Sequence, residues 1–182
     1  MQNQSIKKVV AIGIGSALFV IIGMLINIPT PVPNTNIQLQ YALLALFAII
    51  YGPSVGFFTG LIGHSLKDAL QSGNPWWTWI IVSALFGLVM GLLSKKIDIE
   101  KGYLTTKDYV WFNVTQLVAN IIGWAVIVPM GDIAIYSEAA NKVYAQGFLS
   151  ALVNSLTVAI GGSLLLALYA KSRTKAGSLK KD

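Results

Sequence analysis

Amide and indole side chains recur on one face of a long apolar segment in the second half of the chain. Asn113, Gln116, Asn120 and Trp124 are spaced by three, four and four residues, which places them on the same side of a helix. Polar groups inside an apolar helix need partners, either a ligand or a neighbouring helix. Because an amide both donates and accepts hydrogen bonds and an indole stacks on flat rings, Asn120 and Trp124 are predicted to contact a planar heteroaromatic solute. Asn154 lies at similar depth in the last apolar segment and is predicted with them.

A second set of candidate contacts lies at the ends of predicted helices. His64 and Asp68 are one helical turn apart, so they form either a hydrogen-bonding rim or a local ion pair. Tryptophans at positions 76, 77 and 79 suit a belt at a membrane interface, but three within four residues also favour a pocket wall. Asn and Gln alternate at positions 34, 36, 38 and 40, which indicates an extended lid with one polar edge. The predicted contacts from this set are Asn36, Gln38, His64, Asp68, Trp76 and Trp77.

The chain lacks the residues that most enzymes and self-powered pumps need. It has one histidine and no cysteine, so no metal site, catalytic triad or resident cofactor is predicted. The sequence contains no glycine-rich nucleotide loop of the type that ends in Gly-Lys-Ser or Gly-Lys-Thr. All seven acidic residues are predicted at or beyond helix ends, so no carboxylate is expected to carry protons or ions inside a membrane. Uphill movement of a solute would therefore require energy from a partner.

The composition indicates that transmembrane helices position these side chains. Of 182 residues, 55% are hydrophobic and 11% are charged, whereas soluble domains carry about 25% charged residues. Apolar runs long enough to cross a hydrocarbon core of about 30 Å predict helices over residues 8–28, 76–94, 107–130 and 145–170. Residues 39–67 form either one kinked helix or two helices broken at Gly52-Pro53.

The distribution of basic residues chooses between five and six spans. With two helices in residues 39–67, eleven lysines and arginines share one side of the membrane and only Lys67 and Lys142 lie opposite. Basic residues stay cytoplasmic, so this arrangement is favoured, with both termini on the cytoplasmic side of the cell membrane. The prediction is an all-α integral membrane protein of six transmembrane helices, with one domain over residues 1–171 and a basic cytoplasmic tail over 172–182. The net charge of +6 reflects this orientation, and no nucleic acid binding is predicted.

Small residues line several predicted helix faces at four-residue spacing, which lets helices approach closely. Glycines at 52, 56 and 60 and at 87 and 91 mark the third and fourth helices, and packing within the chain is expected for Gly56 and Gly60. On the first helix, Ala11 and Gly15 form one such step, and Gly13 and Ala17 form another. Because these steps lie near the cytoplasmic end, they are predicted to dock another membrane subunit. The segments predicted outside the cell are 29–38, 67–75 and 131–144.

Three stretches, taken with the length and the six spans, resemble the S component, or substrate-capture subunit, of an energy-coupling factor (ECF) vitamin transporter. They are Ile26-Asn-Ile-Pro-Thr-Pro-Val-Pro-Asn-Thr-Asn36, Gly63-His-Ser-Leu-Lys-Asp68 and Asn74-Pro-Trp-Trp77. The similarity covers nearly the whole chain. It is closest to a branch described as hydroxymethylpyrimidine transporters, in which the pyrimidine is a thiamine precursor.

The resemblance implies a function and partners. An S component captures a vitamin from outside, docks through its first helix on a transmembrane coupling (T) subunit, and is driven by two ATP-binding cassette ATPases. It is thought to topple in the membrane and so carry the site inward. Ala11-x-x-x-Gly15 matches the family's Ala-x-x-x-Ala docking motif, with glycine replacing the second alanine. The loop after the first helix and the outer ends of helices 4 to 6 would form the pocket.

Two other functions stay open at the level of the sequence. One is a stand-alone facilitator or channel for a small solute, although no ring of charge that could line a pore is visible. The other is an integral membrane enzyme, which is the weaker alternative because no catalytic constellation can be assembled. Copurifying ATPases would separate the S component from both alternatives.

Overall fold

The computed structural model describes residues 2–173, and these residues are mostly helical. The helices are α1 (Gln2–Leu25), α2 (Gln40–Tyr51), α3 (Pro53–Ser72), α4 (Trp77–Leu92), α5 (Thr106–Asn120), α6 (Val128–Tyr136), α7 (Ala140–Thr157) and α8 (Ser163–Ser172). Two short strands, β1 (Asn27–Pro29) and β2 (Asn36–Gln38), follow α1. Nearly all of the predicted cytoplasmic tail lies outside the described residues.

The eight helices form six rods, because two pairs are joined without a break. A π-helical segment, Ile121–Ile127, joins α5 to α6, and a second one, Val158–Gly162, joins α7 to α8. The resulting rods are 31 and 33 residues long. By length and composition, four helices of the described chain can cross a membrane, namely α1, α4 and these two long rods. α2 is apolar but has only 12 residues.

The predicted break between α2 and α3 is confirmed. Gly52 ends α2 with a φ of 92°, a left-handed value that glycine adopts without a steric penalty. Pro53 then occupies the first turn of α3, where its missing amide hydrogen costs no helical hydrogen bond. The two residues therefore turn the chain sharply at the point that the sequence indicated.

The sequence predicted the ends of three other helices wrongly. α1 ends at Leu25, before the prolines, because Asn27–Pro29 pairs with Asn36–Gln38 in an antiparallel hairpin. The predicted extended lid is thus confirmed over residues 36–38. Residues 131–144 were predicted as an outer loop, but α6 continues to Tyr136 and α7 begins at Ala140. Only residues 137–139 of this segment lie outside helices.

Close packing of α3 on α4 depends on glycine. A Cβ atom added at Gly56 would collide with the backbone oxygen of Gly87, and one added at Gly87 would collide with that of Gly56. The expectation that Gly56 and Gly60 serve packing within the chain is confirmed, because a Cβ atom added at Gly60 would likewise collide with the backbone oxygen of Ser83. The helices enclose a hydrophobic core that includes Phe19, Leu44 and Phe112.

Candidate functional site

A cavity of about 450 Å³ opens at the end of the bundle where α1 connects to α2, α3 to α4, and α6 to α7. The hairpin covers part of it, and Gln146 of α7 ties this lid down by donating a hydrogen bond of 2.8 Å to the backbone oxygen of Pro33. The residues that line the cavity come from the hairpin, from five helices and from the α3–α4 and α6–α7 connections. They are Asn34, Thr35, Asn36, Gln38, Tyr41, His64, Lys67, Asp68, Gln71, Ser72, Asn74, Trp76, Trp79, Asp132, Glu138, Lys142, Val143, Gln146, Ser150 and Asn154.

Asp132 organises the aromatic wall of the cavity. The indole N–H groups of Trp76 and Trp79 donate to its two carboxylate oxygens, each over 2.9 Å. The hydroxyl of Thr78 donates to the same carboxylate. Only 2% of Asp132 is exposed, so these three donors replace the water that a buried carboxylate would otherwise need. The two tryptophans are thereby held in fixed orientations beside the cavity.

A buried polar chain runs from the cavity into the bundle. Nε2 of His64 lies 3.3 Å from the carboxylate of Asp68, and Nδ1 lies 2.6 Å from Oγ of Ser83. The hydroxyls of Ser83 and Tyr41 are 3.0 Å apart. Asp68 also accepts a hydrogen bond of 3.1 Å from the backbone N–H of Trp76. Both alternatives for His64 and Asp68 are therefore realised, because the pair is linked and also lines the cavity.

Asp68, His64 and Ser83 follow one another as in a hydrolase triad, but Nδ1 of His64 faces the serine and Nε2 faces the aspartate, the reverse of the triad arrangement. Ser83 is completely buried and does not line the cavity, so a solute there does not meet its hydroxyl. Among the described residues, no three His, Cys, Asp or Glu side chains lie close enough together to hold a metal ion. The geometry of the site is suited to binding a small solute.

Six of the nine ligand contacts predicted from the sequence line this cavity: Asn36, Gln38, His64, Asp68, Trp76 and Asn154. Trp77 does not line it, since 52% of its surface is exposed and its ring lies outside the wall that Trp76 and Trp79 form. Trp77 instead contributes a backbone N–H, which donates to the hydroxyl of Tyr136 over 3.2 Å.

Asn120 and Trp124 lie beneath the cavity and do not line it. The indole N–H of Trp124 donates to the Asn120 side chain over 2.9 Å, and the Asn120 amide donates to the Gln116 side chain over 2.8 Å. The ring of Trp124 packs on Trp79 and Tyr41, with centroid separations of 5.4 and 5.2 Å. Gln116, Asn120 and Trp124 therefore share one helix face, as predicted, but their polar groups bond to one another. The Trp124 ring packs beneath the cavity residues Trp79 and Tyr41.

The sequence did not single out Trp79, Asp132, Gln146 or Lys67 as contacts, although each lines the cavity. Trp79 belonged to the recognised tryptophan cluster, and its spacing of three from Trp76 was the signal that both share one helix face. Asp132 was predicted in a loop at a helix end, which was wrong, because it is buried within α6.

Ala11 and Gly15, the predicted docking residues, lie on the inward face of α1. Ala11 is only 4% exposed. A Cβ atom added at Gly15 would lie 2.9 Å from the Phe47 ring and 3.0 Å from Oγ1 of Thr59. Gly13 and Ala17, the second pair with the same spacing, are exposed on the outer face.

Comparison with known proteins adds the family. A sequence model of the ECF-type riboflavin transporter S component matches residues 3–171. The chain belongs to this family. The resemblance to ECF S components is thus confirmed, and membership makes the chain a substrate-binding subunit of a membrane transporter. Proteins of this family associate with T and ATPase components.

Relatives of this S component occur in several streptococci and lactococci. It is 65% identical to a UPF0397 protein of Streptococcus agalactiae over all of both chains. A UPF0397 protein of Streptococcus gordonii is 60% identical over 98% of this chain and 95% of its own. One from Lactococcus lactis subsp. cremoris is 56% identical over all of both chains. No solved structure matches the chain significantly.

Proposed function

We propose that this S component captures a small, neutral, planar heterocycle from outside the cell and delivers it inward. Hydroxymethylpyrimidine is our leading candidate for the solute. A transmembrane coupling subunit and two ATP-binding cassette ATPases supply the energy. The chain itself performs no chemistry on the solute.

The cavity carries this proposal. Its volume of about 450 Å³ falls within the range of roughly 300–1,000 Å³ that is usual for small-molecule sites. Trp76 and Trp79 offer flat apolar surface, and the lining also contains several amides. Its carboxylates already have partners: Asp132 has three donors, Asp68 has His64, and Glu138 has Lys142 at 2.7 Å. A neutral ring that stacks and accepts or donates a few hydrogen bonds fits this lining.

The orientation follows from charge. The cavity lies at one end of the bundle, and the basic residues of the α4–α5 connection and of the end of α8 lie at the other. We place the basic end in the cytoplasm, because positively charged connections stay inside. With α2 and α3 counted as two further crossings, the chain spans the membrane six times and the cavity faces outward.

Direct binding tests the solute. The purified chain in detergent should show saturable quenching of tryptophan fluorescence with hydroxymethylpyrimidine, since two of its five tryptophans line the cavity. Riboflavin, the vitamin after which the family is described, is the matched competitor. Saturable binding of riboflavin with none of the pyrimidine would replace our candidate and keep the capture function.

Copurification tests the assembly. The tagged chain, extracted from its own membranes in mild detergent, should bring down a coupling subunit and two ATPases with ATP hydrolysis in the eluate. A facilitator would instead emerge alone and would let the solute enter liposomes without ATP. That second pattern would overturn the proposal.

A further inference from the structure

Most charged side chains in the cavity are already satisfied by other groups of the chain. Asp132 is held by two indoles and a hydroxyl, Asp68 by His64 and a backbone N–H, and Glu138 by the ammonium of Lys142. A bound solute cannot gain much from groups that must first give up these partners. The side chains left uncommitted, meaning those without a hydrogen-bond or ion-pair partner among the described residues, are therefore the ones available to recognise a solute.

Lys67 is the uncommitted charge. It lines the cavity, only 6% of it is exposed, and its stem packs against Gly23 of α1. Within residues 4–173, its ammonium has no carboxylate within 4.0 Å and makes no hydrogen bond. Holding an ammonium in a poorly hydrated site without an acceptor is unfavourable. A position of this kind is explained when a bound molecule supplies the acceptor.

Asn154 is uncommitted in the same way, on a different wall of the cavity. It belongs to α7, is 5% exposed and lines the cavity. In the part of the chain that the structure describes, its side-chain amide makes no hydrogen bond. An amide presents one acceptor and two donors, so it complements a ring edge that carries a donor beside an acceptor.

We infer that Lys67, together with Asn154, recognises the solute, and that the solute is a neutral heterocycle with an acceptor atom on one edge and an adjacent donor and acceptor on another. This inference rests on the proposed function, because it concerns the same cavity. The neutral solute is that of the proposed function, and the ammonium of Lys67 would donate a hydrogen bond to an acceptor atom of its ring. An aminopyrimidine has such edges, with ring nitrogens as acceptors and an amino group as donor.

Isosteric substitution tests Lys67. Lys67→Met keeps the apolar stem and removes the ammonium, so the Kd for hydroxymethylpyrimidine should rise by about tenfold or more, the size expected for a lost charge-assisted hydrogen bond. Asn154→Leu should weaken binding in the same direction. Lys107→Met is the control for the substitution itself, because Lys107 is exposed in the first turn of α5 and does not line the cavity. Unchanged affinity in Lys67→Met, or equal losses in both lysine variants, would overturn the inference.

A measurement without solute separates this inference from the proposed function. Because the unpaired ammonium destabilises the empty cavity, Lys67→Met should leave the melting temperature of the solute-free chain unchanged or raise it. A clear drop would show that Lys67 stabilises the fold, and would overturn its role in recognition. If the unsubstituted chain binds neither hydroxymethylpyrimidine nor riboflavin, the proposed solute fails, and the melting temperature alone decides the role of Lys67.

Discussion

A single buried carboxylate sets the geometry of the aromatic wall. Asp132 accepts from Trp76 on one oxygen and from Trp79 on the other, so both oxygens are required. In Asp132→Asn one oxygen becomes an NH₂ group, which faces an indole N–H and leaves it unpaired. We expect a loss of roughly 1–3 kcal/mol in the free energy of unfolding and weaker solute binding. Thermal melting in detergent and a binding titration measure the two effects.

Asp98→Asn is the control for this prediction. Asp98 is exposed at the opposite end of the bundle, where it caps the short 3₁₀ turn at Ile99–Lys101 and lies 3.8 Å from the exposed ammonium of Lys101. It should change the melting temperature little and the solute affinity not at all. If Asp132→Asn behaves like Asp98→Asn, the carboxylate does not organise the tryptophans.

Residue types alone could not separate solute contacts from internal hydrogen bonds. Asn120 and Asn154 are the same residue type at similar predicted depth. Asn120 is bonded to Gln116 and Trp124, whereas the Asn154 side chain lines the cavity and has no hydrogen-bond partner among the described residues. The difference lies in the neighbouring helices. Spacing along one helix predicts which residues share a face, but the direction of that face depends on packing between elements.

At the scale of the element, α1 presents two small-residue faces of opposite direction. Gly15 packs against Phe47 and Thr59, whereas no atom of the described residues lies within 4 Å of a Cβ atom added at Gly13. Gly13→Leu should therefore leave folding and solute binding intact, but should reduce recovery of the coupling subunit if that subunit docks on the outward face. Gly15→Leu should instead lower the yield and the melting temperature, because α1 must move away from α2 and α3.

The comparison of these two variants locates the docking face. Copurification of the coupling subunit and the melting temperature are measured for both. Normal assembly by Gly13→Leu, with a well-folded Gly15→Leu that fails to assemble, would return docking to the face of Ala11 and Gly15 that the family motif predicts.

Helix ends near the cavity were the least predictable elements. The segment 131–144 contains Asp132 and other polar residues, which resemble a loop when hydrophobicity is the only signal. In the structure Asp132 lies within a helix, and a polar residue is accommodated there because the position faces the cavity. A binding site at the end of a bundle thus shortens the apolar run without ending the helix. By contrast, the break at Gly52-Pro53 was predictable because backbone chemistry, not burial, determines it.

At the scale of the whole molecule, charge distribution predicted what apolar length could not. α3 carries His64, Lys67 and Asp68 toward the cavity, so it does not qualify as a span by hydropathy. The choice of two helices in residues 39–67 came instead from the distribution of basic residues between the two sides. The number of crossings is therefore the property of the fold that most needs a direct test.

Single-cysteine labelling provides this test, because the chain has no cysteine of its own. Asn74→Cys, in the exposed loop beside the cavity, should react with a membrane-impermeant maleimide in intact cells. Ser54→Cys, exposed at the α2–α3 corner, and Tyr103→Cys, exposed between α4 and α5, should react only after permeabilisation. Labelling of Ser54→Cys from outside would show that α2 and α3 do not cross the membrane and instead form a re-entrant pair. If Asn74→Cys reacted only after permeabilisation, the orientation would be inverted, because Asn74 and the hairpin line the same cavity, and that cavity would open to the cytoplasm, where it could not capture an external solute.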